Sequence, residues 1–497
     1  MAELNKPFPP GDYPVVVVGS GPGAIQISYC LSRLGIEHAV ISADDRPGGM
    51  FQRFPKLERL ISWSKPHAPV ERETSAYLRY DWNSLLAEKP EHQAVAADFM
   101  DGSSYFPARA EMEASIAAFA ERAGVTVRYE CTWEATTASG EGFTLTTSDG
   151  EYRCRIPVFA IGMAQPWRPP VPGLEDVPHY ADSKRPHEYE DKRVFIVGKR
   201  NSGFELADGL LPWARQIILA SPSPPVISVV NRTVAAARAR YMQPYEDHIL
   251  GGGNFVMDAA IERIARSNGA YRVAVRGTTV PGDYTLEVDE VIAATGFRVP
   301  LGDLRELGVA TFMQDRVPAL TPYWESVTVP GMYFAGTVSQ GAAGLQKYGI
   351  PSTSAAVLGF RYNALVLARH LAEKYFGVTV ERRVLVPHDV VAFLLGEATR
   401  AAELWNQQAY LARVVSFDPE AGIRDEGIVP LAHFVDADGP PAIAMTIEAN
   451  PHADIYPTVY VRVGSRVEEH QLPTAPLHDF EMAEHRKQLD SLVTQLL

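Results

Sequence analysis

The chain contains little cysteine. Its 497 residues include three, Cys30, Cys131 and Cys154. No two of them have the short spacing of a local redox pair or of a zinc-binding motif. The sequence therefore disfavours a dithiol mechanism and predicts no metal site. We expect all three thiols to be packed and inert.

Long apolar runs and an excess of basic residues are also missing. No apolar run reaches the ~18 residues of a membrane-spanning helix, and residues 1–6 lack the pattern of a signal peptide. The 46 basic and 60 acidic side chains give a net charge of -14, which disfavours nucleic acid and anionic membranes as partners. We therefore expect a cytoplasmic protein without a membrane or nucleic-acid partner.

A glycine-rich turn follows the valine run at residues 15–18. Gly19 allows a tight turn, Gly21 lets the backbone approach a pyrophosphate, and Ala24 is small enough for close packing of helix on strand. The N–H groups at such a helix start bind phosphate. The predicted cofactor-binding residues of this turn are Gly19, Gly21, Pro22, Gly23 and Ala24.

The strand after this first helix, residues 38–41, should end in an acid that binds a ribose hydroxyl. Ser42 stands there instead, with Asp44 and Asp45 just beyond it. Ser42 is predicted to contact the ribose with a single hydrogen bond. Either aspartate could replace the missing carboxylate.

A second turn of the same kind lies about 180 residues further on, at residues 194–203. Arg200 replaces its middle glycine and could itself bind a phosphate. The strand at residues 216–221 ends without an acid, which favours NADPH over NADH. The predicted contacts of this turn are Gly198, Arg200, Asn201, Ser202 and Arg240, although an ordinary solvated surface accounts equally well for Arg240.

Two such turns indicate two nucleotide cofactors, with electrons passing from a nicotinamide to a flavin. The loop at residues 46–52 and the glycine turns near residues 295 and 336 are expected to complete the flavin site. Their predicted contacts are Gly49, Met50, Phe51, Gln52, Thr295, Gly336 and Thr337. Trp63 and Lys65 lie in an aromatic and basic stretch that could form a polar pocket wall, or equally a surface loop with a packed tryptophan.

These units predict an α/β protein with two Rossmann-like dinucleotide-binding domains and a C-terminal α+β extension. The FAD-binding domain is expected at residues 1–190 and 291–380, and the NADPH-binding domain at residues 191–290. Residues 381–497, the C-terminal extension, carry no motif. We expect a helix over residues 390–411, strands at 442–447 and 458–463, and a final helix within 479–497.

Over residues 14–376 the chain resembles the flavin-containing monooxygenase family, which uses FAD and NADPH in one polypeptide. The resemblance rests on residues 19–24, 46–49, 106–107, 201–203, 294–297 and 333–336. Ser42 and Arg200 depart from the family pattern. In the region before the second turn, where family members usually carry a further motif, only His179 matches it. The chain thus looks like a divergent bacterial-type branch.

The resemblance implies that NADPH reduces FAD, that O2 adds at flavin C4a to give a (hydro)peroxide, and that a small nucleophile is oxygenated. An amine or amino acid that becomes N-hydroxylated is the favoured substrate; sulfur oxygenation and Baeyer-Villiger chemistry are alternatives. In such enzymes Asn201 and Ser202 would retain NADP+, and Asn201, Trp63 and Lys65 are the candidate catalytic residues. A flavin oxidoreductase that does not activate oxygen, and a non-catalytic nucleotide-bound scaffold, stay open, and a homodimer is possible.

Overall fold

The computed structural model describes residues 6–140, 142–228, 236–452 and 454–497. The chain divides into two compact units. The first unit comprises Met1–Gln52, Ser62–Gly162 and Pro300–Leu497, and the second comprises Arg53–Ile61 and Met163–Val299. The C-terminal extension thus belongs to the first unit. The four segments expected from the sequence divide the chain more finely, and their boundaries stay predictions.

The strands in chain order are β1 (Gly11–Val18), β2 (His38–Ile41), β3 (Trp133–Ser139), β4 (Gly142–Thr147), β5 (Gly150–Phe159), β6 (Gln165–Pro166), β7 (Arg193–Val197), β8 (Gln216–Ser221), β9 (Asn254–Ser267), β10 (Ala270–Gly277), β11 (Asp283–Val288), β12 (Glu290–Ala293), β13 (Phe297–Arg298), β14 (Thr311–Phe312), β15 (Val317–Pro318), β16 (Tyr333–Phe334), β17 (Arg383–Leu385), β18 (Leu411–Asp418), β19 (Gly422–Pro430), β20 (Ala442–Ala449), β21 (Ile455–Val463) and β22 (Arg466–Gln471). The α-helices are α1 (Pro22–Arg33), α2 (Arg109–Arg122), α3 (Asn201–Leu210), α4 (Gln243–Leu250), α5 (Val357–Phe376), α6 (Val390–Arg400), α7 (Ala402–Asn406), α8 (Leu431–Asp436) and α9 (Ala483–Thr494).

The sheet of the first unit that contains β1 has the order β2-β1-β5-β4-β3, with β16 beside β5. Strands β1, β2, β5 and β16 run parallel, and β3 and β4 extend the sheet as an antiparallel hairpin. The valines at the end of β1 are fully buried, as expected of a strand covered on both faces. Residues 125–129 form no strand of their own and contribute one parallel bridge, between Ile41 and Arg128.

The second unit has its own six-stranded sheet, in the order β11-β10-β9-β8-β7-β12. Strands β12, β7, β8 and β9 are parallel, and β10 and β11 continue as antiparallel hairpins. One apolar cluster lies around Phe195 and Val273, and another around Phe204 and Leu219. The expected α/β fold with two Rossmann-like sheets is confirmed.

The C-terminal extension forms an antiparallel sheet in the order β17-β19-β18-β20-β21-β22. Helices α6, α7 and α9 bury an apolar cluster against it that includes Leu394, Trp405, Phe480 and Leu489. The helix expected over residues 390–411 divides into α6 and α7, and α7 ends at Asn406, before β18 begins at Leu411. Ala401, with φ -68° and ψ 111°, is not helical and separates the two helices.

Candidate nucleotide-binding sites

The turn between β1 and α1 has the geometry of a phosphate-binding turn. Gly19 has φ +132°, and a Cβ added to it would lie 2.6 Å from the carbonyl oxygen of Ala160. Gly21 is the N-cap of α1, which begins at Pro22. Uncapped N–H groups at this helix start therefore remain for an anionic ligand.

Glycines from three separate segments meet at this turn. A Cβ on Gly49 would lie 2.8 Å from the Cα of Gly21. A Cβ on Gly23 would lie 2.3 Å from the Cα of Gly336. Gly21, Gly23, Gly49 and Gly336, here called the glycine cradle, thus pack backbone against backbone with no side chain between them. Close backbone approach of this kind suits the pyrophosphate of FAD.

The predicted neighbours of the cradle lie beside it along the chain. Met50, Phe51 and Gln52 form a half-buried 3-10 turn with Gly49. The Gln52 amide donates to the Arg46 carbonyl at 2.8 Å. Thr337 is half-buried and directly follows Gly336 in a second 3-10 turn. Their contacts with a cofactor remain predictions.

Ser42 is buried and belongs to a small internal network. Its hydroxyl donates to Ser20 Oγ at 3.0 Å, and Ser20 Oγ donates to the Asp44 carboxylate at 2.7 Å. The backbone N–H of Asp44 donates back to Ser42 Oγ at 3.2 Å. A carboxylate is thus linked to the turn through Ser20, although none follows β2 directly. The sequence alone did not reveal this role of Ser20.

The Trp63 stretch pairs with the stretch around Trp82. Ser64 and Asp81 form an antiparallel bridge, and the Trp63 and Trp82 rings lie 4.8 Å apart. The Lys65 side chain is exposed, and its backbone N–H donates to the Tyr80 carbonyl at 2.9 Å. An aromatic wall is therefore present, but Trp63 and Lys65 stay predictions as catalytic residues.

Sequence reasoning missed two buried charged side chains, Asp81 and Arg361, that contact the same segment separately. The fully buried Asp81 carboxylate accepts from Ser64 Oγ at 2.5 Å and from the Asn83 and Ser84 backbone N–H groups at 3.0 and 3.2 Å. The fully buried Arg361 of α5 donates to the carbonyls of Ser84 at 2.6 Å and of Leu78 at 2.8 Å. Ser84 therefore contacts both charges and fixes its segment against α5.

The turn between β7 and α3 in the second unit is equally tight. Gly198 has φ +125°, and a Cβ on it would lie 2.4 Å from the Ala294 carbonyl oxygen. The side chain of Asn201, the first residue of α3, accepts from the Arg238 backbone N–H at 2.9 Å and donates to the Ala236 carbonyl at 2.9 Å. Ser202 follows it, half-buried. Asn201 therefore orders the neighbouring segment in the structure.

An acid does lie near the end of β8, but it is already paired. Asp258 is in register with Ser221 on the adjacent strand and forms an ion pair with the buried Lys199. Burial raises the pKa of Asp258, but hydrogen bonds from Lys199 and Thr279 hold that pKa below its usual value. Arg200 is exposed at the N-cap of α3. Lys199 is thus buried and paired with Asp258, whereas Arg200 is an exposed cation at this turn.

Arg240 and Thr295 make contacts within the second unit. Arg240 donates to the Leu60 carbonyl at 3.0 Å and lies 4.9 Å from the centre of the Tyr241 ring. The Thr295 hydroxyl donates to the Trp167 carbonyl at 2.5 Å. Both have a structural role here, and their nucleotide contacts stay predictions.

The three cysteines are buried and free. Burial raises the pKa of Cys30 and of Cys154 to about 12, and it also raises the pKa of Cys131. Such thiols are protonated at neutral pH and are poor nucleophiles.

Among the described residues, no group of three or more His, Cys, Asp or Glu could hold a metal ion, and no helix is long and apolar enough to cross a membrane.

Comparison with known proteins identifies a family whose sequence model spans both glycine turns. The sequence model of the pyridine nucleotide-disulphide oxidoreductase family matches residues 16–336. The FAD-dependent oxidoreductase domain-containing protein 2 of Danio rerio is 27% identical over 417 residues, which are 73% of this chain and 59% of that protein. The chain thus spans less than two thirds of this relative. The ferredoxin–NADP reductase of Granulibacter bethesdensis is 24% identical over 343 residues, 66% of this chain and 82% of that protein.

Solved structures share the fold over 73% of the chain. They include a bacillithiol disulfide reductase from Staphylococcus aureus, with 16% identity, a TM-score of 0.55 and 99% of that chain covered. A flavin-containing monooxygenase from Stenotrophomonas maltophilia has 20% identity, a TM-score of 0.55 and 99% covered. An ornithine N-hydroxylase from Kutzneria sp. 744 has 16% identity, a TM-score of 0.53 and 100% covered.

Proposed function

The chain belongs to the pyridine nucleotide-disulphide oxidoreductase family of FAD-dependent enzymes, and we propose that it is an NADPH-dependent monooxygenase. Its favoured substrate class is a small amine or amino acid. The balanced reaction converts NADPH, H+, O2 and R–NH2 to NADP+, water and R–NHOH. Bound FAD would accept a hydride from NADPH and pass two electrons to O2.

The state of the cysteines carries this proposal. Disulphide reduction needs a nucleophilic thiol near the flavin. Cys30, Cys131 and Cys154 are buried and free, and burial raises the pKa of each thiol. Electrons from NADPH therefore need an acceptor other than a protein disulfide, and O2 is the acceptor we propose. The fold shared with the Stenotrophomonas monooxygenase and the Kutzneria N-hydroxylase is compatible with this choice.

The chain's own residues have defined tasks in this proposal. The glycine cradle binds the FAD pyrophosphate through backbone N–H groups. Arg200 binds the phosphate on the adenosine ribose of NADPH, since the nearby Asp258 is neutralised by Lys199. Asn201 and Ser202 retain NADP+. Trp63 and Trp82 form an aromatic wall that limits the access of water.

The test is rapid mixing of NADPH-reduced enzyme with O2 in the presence of NADP+. We expect a transient species that absorbs at shorter wavelength than oxidised flavin and decays faster when a small primary amine is added. Mass spectrometry should then detect a hydroxylamine or a further oxidised nitrogen. Direct return to oxidised flavin, with H2O2 as the product for every amine tested, would refute N-oxygenation. Sulfoxide from thioethers alone would move the substrate class to sulfur.

A second candidate function is electron transfer to an iron–sulfur protein. The similarity to the Granulibacter ferredoxin–NADP reductase, which covers 82% of that protein, favours it. The two candidates differ in their acceptor. Rapid anaerobic reduction of a [2Fe–2S] ferredoxin by NADPH, together with slow O2 consumption and no oxygenated product, would select this second function.

A further inference from the structure

Residues 342–356, here called the linking segment, join the glycine cradle to helix α5. The segment follows the 3-10 turn Gly336–Gly341, and α5 begins after it at Val357. It lies against the C-terminal extension, which carries no motif of its own. The linking segment and the C-terminal extension both belong to the first unit.

Gln407 is the centre of these contacts. Its side chain is fully buried at the end of α7. Nε2 donates to Ser354 Oγ at 3.0 Å and to Asn363 Oδ1 at 2.7 Å. Oε1 accepts from the backbone N–H of Thr353 at 3.1 Å and from its hydroxyl at 2.9 Å. Both donors of the amide are therefore used, and its oxygen accepts from Thr353, whose hydroxyl also lies beside the Asn406 carbonyl.

The network continues from Gln407 to the glycine cradle. Asn363 Nδ2 donates to Ser339 Oγ and to Ser354 Oγ, each at 2.9 Å. Ser339 belongs to the 3-10 turn that begins at Gly336, and the Gly336 backbone lies against Gly23. Every side chain in this path is buried. A change at Gln407 thus reaches the cradle through two hydrogen-bonded side chains.

A second set of contacts holds the other end of the linking segment. Lys347 Nζ pairs with Glu448 at 2.7 Å and with Glu469 at 2.6 Å. The buried Glu448 carboxylate also accepts from the Tyr460 hydroxyl at 2.7 Å. A Cβ on Gly344 would lie 2.6 Å from the Tyr410 ring. The extension therefore fixes this segment at two independent places.

We propose that the C-terminal extension orders the flavin site and that Gln407 is the positioning residue through which it acts. A buried amide that is hydrogen-bonded through both its nitrogen and its oxygen stabilises one arrangement of its neighbours, because moving it leaves buried polar groups unpaired. Gln407 thus holds the Gly336–Gly341 turn in the position that accepts FAD. The proposal depends on FAD binding and not on oxygen activation, so it would survive a failure of the monooxygenase proposal.

The experiment compares full-length Gln407→Met with a matched control, Thr446→Val. Met keeps the volume of Gln407 and removes its hydrogen bonds. Thr446 is equally buried in β20, but its hydroxyl donates only within the extension, to the Leu411 carbonyl at 2.8 Å. We expect Gln407→Met to raise the FAD dissociation constant about tenfold or more. The absorption maximum and midpoint potential of the bound flavin should also shift.

Thr446→Val should lower the unfolding temperature and leave the FAD dissociation constant and the flavin potential unchanged. Equal effects of the two variants on FAD affinity, or an unchanged flavin potential and dissociation constant in Gln407→Met, would overturn the proposal. If Gln407→Met does not fold, Ser354→Ala decides, since it removes one acceptor of the network. An unchanged FAD dissociation constant in Ser354→Ala would likewise overturn it.

Discussion

Gly23 and Gly336 pack so closely that a Cβ added to Gly23 would lie only 2.3 Å from the Cα of Gly336. The atoms of Gly336 nearest to this position are backbone atoms, so they cannot rotate away from an added methyl group as a side chain could. The start of α1, where we propose that pyrophosphate binds, and the turn that leads to the linking segment are therefore in direct backbone contact. This contact couples the first nucleotide turn to a segment more than 300 residues later in the chain.

Gly23→Ala should therefore abolish FAD retention. The added methyl group forces the Gly336 turn away from α1 and opens the glycine cradle. Flavin content after purification and reconstitution measures the effect. Gly35→Ala is the control, because Gly35 has φ +71° but no atom within 4 Å of an added Cβ. It should cost about 1 kcal/mol of stability and keep FAD; equal flavin content in the two variants would contradict the role of the cradle.

Replacement of each cysteine by serine should leave NADPH oxidation nearly unchanged. All three thiols are free and buried, with raised pKa values, so none is available as a redox nucleophile. Steady-state turnover of Cys30→Ser, Cys131→Ser and Cys154→Ser tests this directly. Loss of turnover in a folded, flavin-loaded variant would restore a thiol mechanism.

Arg200→Ala should raise the KM for NADPH about tenfold and leave the KM for NADH nearly unchanged. A guanidinium–phosphate contact contributes about 1.5 kcal/mol or more, and NADH lacks the phosphate. Initial rates with both nucleotides give the ratio. Arg263→Ala, an exposed cation on β9, serves as the control and should change neither KM. Similar increases with NADH and NADPH would exclude phosphate recognition by Arg200.

Asp289→Asn should destabilise the protein at neutral pH and lose this effect in acid. Hydrogen bonds from the Arg193 side chain and backbone lower the pKa of Asp289 to about 2, from 3.8. A lowered pKa contributes stability that is present above pH 4 and is lost as the pH falls from about 4 to about 2. The pair is about one third exposed, so solvent screening reduces the expected effect to about 1 kcal/mol.

Urea unfolding at pH 7 and at pH 3 measures this difference. Asp283→Asn replaces an exposed aspartate on the neighbouring β11 and should leave the stability unchanged at both values. A constant gap between wild type and Asp289→Asn from pH 7 to pH 3 would show that the Arg193 contact does not set the titration of Asp289.

The sequence by itself determined the elements that depend on local pattern. The strands expected at residues 38–41 and 216–221 have those bounds in the structure, because buried β-branched runs and turn residues are local signals. Helix α5 ends at Phe376, where Gly377 supplies the left-handed conformation that stops a helix, and a glycine of this kind is also a local signal. Both glycine turns are likewise visible in the sequence, because close backbone approach requires residues without a side chain.

The tertiary structure alone decided which polar residues meet. Ser352 precedes α5, which begins at Val357, and its hydroxyl donates to Ser354 within the linking segment. Gln407 contacts residues 44 and 53 positions away, and Arg361 contacts Ser84 across 277 positions. Such contacts produce no periodic pattern in the sequence, because the folded chain, and not the neighbouring residues, determines which partner a buried polar side chain meets. The pairing of Lys199 with Asp258, which neutralises the acid beside Ser221, has the same physical origin.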